Sequence, residues 1–78
     1  MNPAKVCTEV AGTVWKIVAA KGTSLAAGDT ILIMESMKME IPIEAPRACT
    51  LSEILVSEGD VLKEDDVVAL IDVVALIA

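Results

Sequence analysis

The chain carries few side chains that could do chemistry, and the least ordinary of them is Lys38. It lies in Glu35-Ser36-Met37-Lys38-Met39-Glu40, with a methionine on either side. An exposed lysine amine is almost wholly protonated near neutral pH, so it becomes a nucleophile only when something removes its proton. The 78 residues include no His and no Tyr. Hydrolase triads that use His and the common His-rich zinc sites are therefore excluded by inventory. Cys7 and Cys49 are isolated thiols and do not make a metal site. No residue is assigned a catalytic role and none a metal.

The surroundings of Lys38 are as informative as the residue. Two apolar runs, Ile31–Met34 and Ile41–Ile43, flank a polar tip that holds neither Gly nor Pro. This pattern predicts a tight hairpin centred on Met37-Lys38. Hairpin tips favour Asn, Asp or Gly, because two-residue turns need positive φ. Placing Met-Lys there carries a conformational cost, and such departures are expected mainly at functional sites. Two flexible thioether side chains beside the amine would form a small adaptable surface for more than one partner. The residues alone leave a second reading open: an ordinary surface lysine whose methionines fold back into the core.

A hairpin needs a frame, and the sequence supplies one twice. Shifted by 37 residues, Thr13–Glu35 overlies Thr50–Asp72 with five identities in 23 positions, Thr13/Thr50, Ile17/Ile54, Gly22/Gly59, Leu25/Leu62 and Asp29/Asp66. Six further pairs are conservative. Random pairing would give about one or two identities at ordinary residue frequencies. The segments Thr13–Val18, Thr30–Met34, Leu51–Val56 and Val67–Ile71 are short and rich in Val, Ile, Leu and Thr, which predicts strands. Turn-forming clusters such as Lys21-Gly22-Thr23, Ala27-Gly28-Asp29 and Glu58-Gly59-Asp60 separate them. Pro42 demotes Met39–Ile43 to an edge strand or a strand end, and imperfect alternation over Val14–Val18 predicts a bulge. The expectation is all-β: about eight short strands in a flattened β-barrel or sandwich, built from two four-stranded halves related by a pseudo-two-fold axis. No long helix is predicted.

Glu35-Ser36-Met37-Lys38-Met39-Glu40 resembles the biotinylation motif of the biotinyl/lipoyl attachment family, in particular the biotin carboxyl carrier domains. The flanks agree: Ala11-Gly12-Thr13-Val14 before, Gly28-Asp29 upstream of Lys38, then Ala45-Pro46 and Gly59-Asp60. The resemblance covers roughly Val6–Ile71. It implies a flattened barrel of two four-stranded halves with the modified lysine at the tip of a protruding hairpin. It also implies covalent biotin on Lys38, with Met37, Met39, Glu35, Ser36 and Glu40 as the surrounding site. The alternative within the family is a lipoyl carrier domain of a 2-oxo acid dehydrogenase-type complex, and lipoyl domains typically have Asp before the lysine and Ala after it. Methionine on both sides favours biotin. Only Lys16–Lys21 separates Trp15 from Gly22, so the domain resembles the biotinyl type without an inserted thumb.

The function implied is transport. A biotin protein ligase would activate biotin as an acyl-adenylate, which the Lys38 amine attacks to form an amide. Glu35 and Glu40 are expected to hold that amine protonated, so the base must come from the ligase. The tethered group would then carry a carboxyl from a biotin carboxylase to a carboxyltransferase in a biotin-dependent carboxylase such as acetyl-CoA carboxylase. Tethering makes each delivery a local encounter at high effective concentration. On this reading the chain is a carrier and not an enzyme.

Other positions carry more limited expectations. Trp15, aligned with Ser52 in the repeat, is expected at the surface. Gly12, Gly22, Gly28 and Gly59 are read as turn residues needing positive φ. Cys49 and Asp65 stand where the family usually has Gly, and align with Gly12 and Gly28. Positive φ at either would strain the second half. Asp66–Ile71 is repeated letter for letter by Asp72–Ile77. The first copy is expected to form the last strand, giving a core of about 6–71 with 72–78 as a duplicated apolar tail whose Val73–Ala78 hangs free.

The bulk properties bound the rest. One domain fits in this length. Six Lys and Arg against twelve Asp and Glu give a net charge of −6. That charge repels phosphate backbones, so nucleic acid is not expected as a partner. No run reaches the roughly 18–20 apolar residues that span a bilayer, and no signal peptide is visible. The expectation is a cytoplasmic domain, monomeric by itself, with both cysteines reduced.

Overall fold

The computed structural model describes residues 2–73, and every regular element among them is a strand. In chain order they are β1 (Asn2–Cys7), β2 (Gly12–Ile17), β3 (Ser24–Leu25), β4 (Thr30–Ser36), β5 (Met39–Glu44), β6 (Cys49–Ile54), β7 (Val61–Leu62) and β8 (Val67–Val73). They form two antiparallel four-stranded sheets with strand orders β1-β8-β6-β3 and β5-β4-β2-β7. The all-β two-sheet architecture expected from the sequence is the one observed.

The 37-residue offset governs the whole structure. It carries β1 onto β5, β2 onto β6, β3 onto β7 and β4 onto β8, each with identical strand limits. The same offset relates the irregularities. The register slips between Val14 and Lys16 in β2, and between Leu51 and Glu53 in β6. These are the bulge predicted in Val14–Val18 and its repeat. The extra residues are Trp15 and Ser52, so this position accepts either a bulky or a small side chain. Trp15 is half exposed, as expected.

The repeat halves are not the two sheets. Each sheet takes two strands from each half, so the halves interlock instead of packing side by side. Hydrogen bonds at the corners obey the same symmetry. Gly22 N–H donates to the Leu51 carbonyl at 2.7 Å, and Gly59 N–H donates to the Val14 carbonyl at 2.8 Å.

Burial follows from the bulges. Strict alternation would bury every second residue of a strand. In β4 the adjacent Ile31 and Leu32 are both fully buried, followed by Met34, and the β4–β5 register slips at that point. The related Val68, Ala69 and Ile71 of β8 repeat the pattern beside a slip in β1–β8. With Val14 and Leu51 these residues form one core between the sheets.

The structure revises some sequence expectations. Strand β1 begins at Asn2 and pairs with β8 out to Asn2↔Val73, so the packed region extends past 6–71 at both ends. The first hexapeptide copy does form β8, but Asp72 and Val73 of the second copy continue it, and Val73 is buried rather than free. The remainder of the expected tail, 74–78, lies outside the described residues. Gly22, Gly28 and Gly59 do take positive φ, whereas Gly12 does not. Cys49 is unstrained, while Asp65 adopts φ +70°.

Candidate functional site

Strands β4 and β5 meet in a two-residue turn, with Ser36 paired to Met39 and only Met37-Lys38 between them. Both turn residues have positive φ, +51° at Met37 and +66° at Lys38. This is the sign pattern of a type I′ turn, whose twist matches the flanking strands. Neither residue is Gly, Asn or Asp, so each position costs about 1 kcal/mol or more. The core beneath holds the hairpin in place, since Ile31, Leu32, Met34 and Ile43 anchor its base.

That geometry resolves the alternative left open for the methionines. Met37 is 92% exposed and Met39 63%, so neither folds into the core, whereas Met34, three residues back on β4, is fully buried. Lys38 is exposed between them. Met37, Lys38 and Met39 are thus three consecutive exposed residues at the β4–β5 turn, an amine flanked on both sides by apolar side chains.

Of the remaining predicted site residues, Glu35 and Glu40 face one another as a direct cross-strand pair. Ser36 is half-buried and Glu35 and Glu40 are exposed. The expectation that the two carboxylates hold the amine protonated finds no ion pair to support it. Among the described residues the single ion pair is Lys21–Glu53, at 3.3 Å. Glu35 and Glu40 repel each other, and neither lies within ion-pair reach of Lys38. The arrangement therefore offers an accessible amine with no base of its own.

Gly12, beside the site, departs from the turn role its residue type suggests. Gly12 opens β2 beside the hairpin, where Thr13 pairs with Glu35. A Cβ on Gly12 would lie 2.5 Å from the backbone oxygen of Glu35 and 3.3 Å from Ser36 Cβ. Its function is close approach, not a turn. The sequence did contain a signal: Gly12 falls inside a run of strand-forming residues and not in a turn cluster.

Elsewhere, Cys7 is an exposed and Cys49 a buried free thiol. Burial pushes the Cys49 thiol up from its ordinary pKa, and the Asp29 carboxylate adds to the effect.

A family described as biotin-requiring enzymes matches residues 2–71. A biotinylated protein TB7.3 homolog from Mycobacterium leprae (strain TN) is 39% identical over 66 residues, covering 85% of this chain and 93% of that protein. A biotin/lipoyl attachment protein from Bacillus subtilis (strain 168) is 42% identical over 62 residues, covering 80% and 85% of the two chains. Among solved structures, the urea carboxylase of Kluyveromyces lactis superposes with a TM-score of 0.86 at 35% identity. It is matched over 91% of this chain, which spans 6% of that carboxylase's length.

Proposed function

The chain belongs to the family of biotin-requiring enzymes, with biotin as its cofactor, and on that premise we propose that Lys38 is the attachment site and that the chain is a non-catalytic carboxyl carrier. The observation that carries this reading is the strained turn, which places an exposed Lys38 between two exposed methionines. A lysine serving only solubility would not need two non-glycine residues at positive φ.

The residues present fit a covalently held group. The Lys38 Nζ is sterically open and unpaired among the described residues. The ammonium would lose a proton, and the freed amine would attack the carboxyl carbon of a ligase-bound biotinyl-adenylate. The C–N bond would form as the C–O bond to AMP breaks, with AMP and a second proton released. The first proton must leave to a base on a partner, a biotin protein ligase, because the chain has no His and neither hairpin carboxylate lies within ion-pair reach of Lys38. Met37 and Met39 then supply apolar contact area around the attachment point, and Glu35, Ser36 and Glu40 form a polar collar below it. Bound biotin supplies a ring that can carry an activated carboxyl group. The hairpin holds that group clear of the sheets, so biotin carboxylase and carboxyltransferase sites can each reach it by a local encounter. The likeness to a urea carboxylase supports a biotin-dependent carboxylase as the setting, and an acetyl-CoA carboxylase is one member of that class. A reducing, cytoplasmic location suits the two free thiols.

The test is attachment itself. Incubation with a biotin protein ligase, biotin and ATP should add one biotin, mapped by peptide mass to Lys38. Lys38→Ala should accept none, although Lys5, Lys16, Lys21 and Lys63 remain. Biotin retained in that variant refutes the assignment, and a lipoate adduct formed in preference refutes the choice of cofactor.

A further inference from the structure

The pseudo-two-fold supplies an internal comparison for every residue that supports the hairpin. Gly12 opens β2, and its counterpart 37 residues on, Cys49, opens β6. Gly12 does not take positive φ, so conformational freedom is no reason for the missing side chain. The reason is space: a Cβ would meet the Glu35 oxygen at 2.5 Å, closer than real Cβ atoms come to backbone. At the related place a whole cysteine side chain fits, 1% exposed, on a strand whose neighbour there is Val73. Symmetry alone therefore does not demand glycine. Only the half that bears the hairpin closes this gap.

We infer that Gly12 is a positioning residue for Lys38: its bare Cα lets β4 lie against the start of β2 and so fixes how the tip leaves the sheet. This rests on Lys38 being the attachment site. The mechanical path is short. Up to Glu35, strand β4 is held on both sides, by β2 through Thr13 and by β5 through Glu40. Beyond Glu35 it pairs with β5 alone, through Ser36↔Met39, and then reaches the turn. A side chain on Gly12 would push on the last doubly held residue. The core residues Met34 and Leu32 resist the displacement, since close-packed interiors transmit strain instead of absorbing it. The free end does not resist, so the shift passes to Met37, Lys38 and Met39.

The experiment compares Gly12→Ala with Cys49→Ala in ligase-dependent biotinylation followed by intact mass, alongside thermal unfolding and amide chemical shifts. Gly12→Ala should fold, with shifts altered over Glu35–Glu40. Its kcat/KM for biotinylation should fall about tenfold to a hundredfold, the range that small misplacements of a reacting group produce. Cys49→Ala should lower the melting temperature yet accept biotin at the wild-type rate. Three outcomes overturn the inference: Gly12→Ala biotinylated as fast as wild type, Cys49→Ala slowed by the same factor, or Gly12→Ala lacking a folding transition, which would make Gly12 a residue of the fold as a whole. A wild-type chain that takes no biotin on Lys38 would instead refute the attachment site beneath it.

Discussion

Glu35 on β4 and Glu40 on β5 stand directly opposite one another one pair below the hairpin turn, both exposed, with no cation paired to either among the described residues. Like charges in direct cross-strand register destabilise a sheet. The hairpin thus carries two unfavourable features one above the other, a like-charge pair and a strained turn. Both surround the one amine that the proposed chemistry needs, and a hairpin selected for stability alone would have neither.

Relief of the charge pair should be measurable. Glu40→Gln should raise stability by up to about 0.5 kcal/mol, toward the lower part of the range for cross-strand pairs because both groups are exposed to solvent. Denaturant unfolding at low and high salt provides the check. The advantage should shrink as salt screens the wild-type repulsion, and an advantage independent of salt would mean that charge is not its source.

The three methionines of the hairpin should separate stability from function. Met37→Ala and Met39→Ala should change unfolding free energy by less than about 0.5 kcal/mol, as exposed substitutions do. Met34→Ala, at a fully buried position, should cost about 2–5 kcal/mol. In a carboxylation and transfer assay on the biotinylated domain, the two tip variants should be slow despite wild-type melting temperatures. A large stability loss in Met37→Ala would place that side chain in a packed site.

Asp65 offers a gain in stability without loss of function. It adopts φ +70°, and its N–H donates to the Thr8 carbonyl at 2.8 Å. The related Gly28, at φ +90°, donates to the Ala45 carbonyl at 2.9 Å. The backbone conformation is shared and only Asp65 carries a side chain through it. Asp tolerates this region better than most residues, so Asp65→Gly should stabilise by no more than about 1 kcal/mol, the low end of the strain range. Biotin acceptance at Lys38 should be unchanged. A destabilised Asp65→Gly would show that flexibility gained by the unfolded chain outweighs the strain removed.

The two thiols should differ in reactivity. The thiolate is the nucleophile, and Cys49 is both buried and shifted toward the protonated thiol by that burial and by Asp29. Cys7 is exposed. Brief treatment of the folded domain with an alkylating reagent near neutral pH should add one group, mapped to Cys7. In denaturant two should add. Labelling of Cys49 at the same rate as Cys7 in the folded state would show that β6 opens readily.

What could be read directly from the chain was local or repeated. Residues that alternate or cluster as β-formers fix strand segments by short-range sterics. Met37-Lys38 between two apolar runs marked a two-residue tip, and the 37-residue offset exposed the two-fold. The bulge at Val14–Val18 was legible because a slip in alternation is itself a sequence pattern. The tertiary structure decided what depends on residues far apart in the chain. The pairing of β1 with β8 joins Asn2 to Val73, and no local pattern encodes a partner 71 positions away. The interlocking of the halves depends on which edges meet, and a repeat is equally compatible with two separate sheets. Gly12 showed the limit most clearly. A glycine that frees its own backbone and one that makes room for another strand are the same letter. Only the position of the Glu35 carbonyl, set by packing of the whole core, tells them apart.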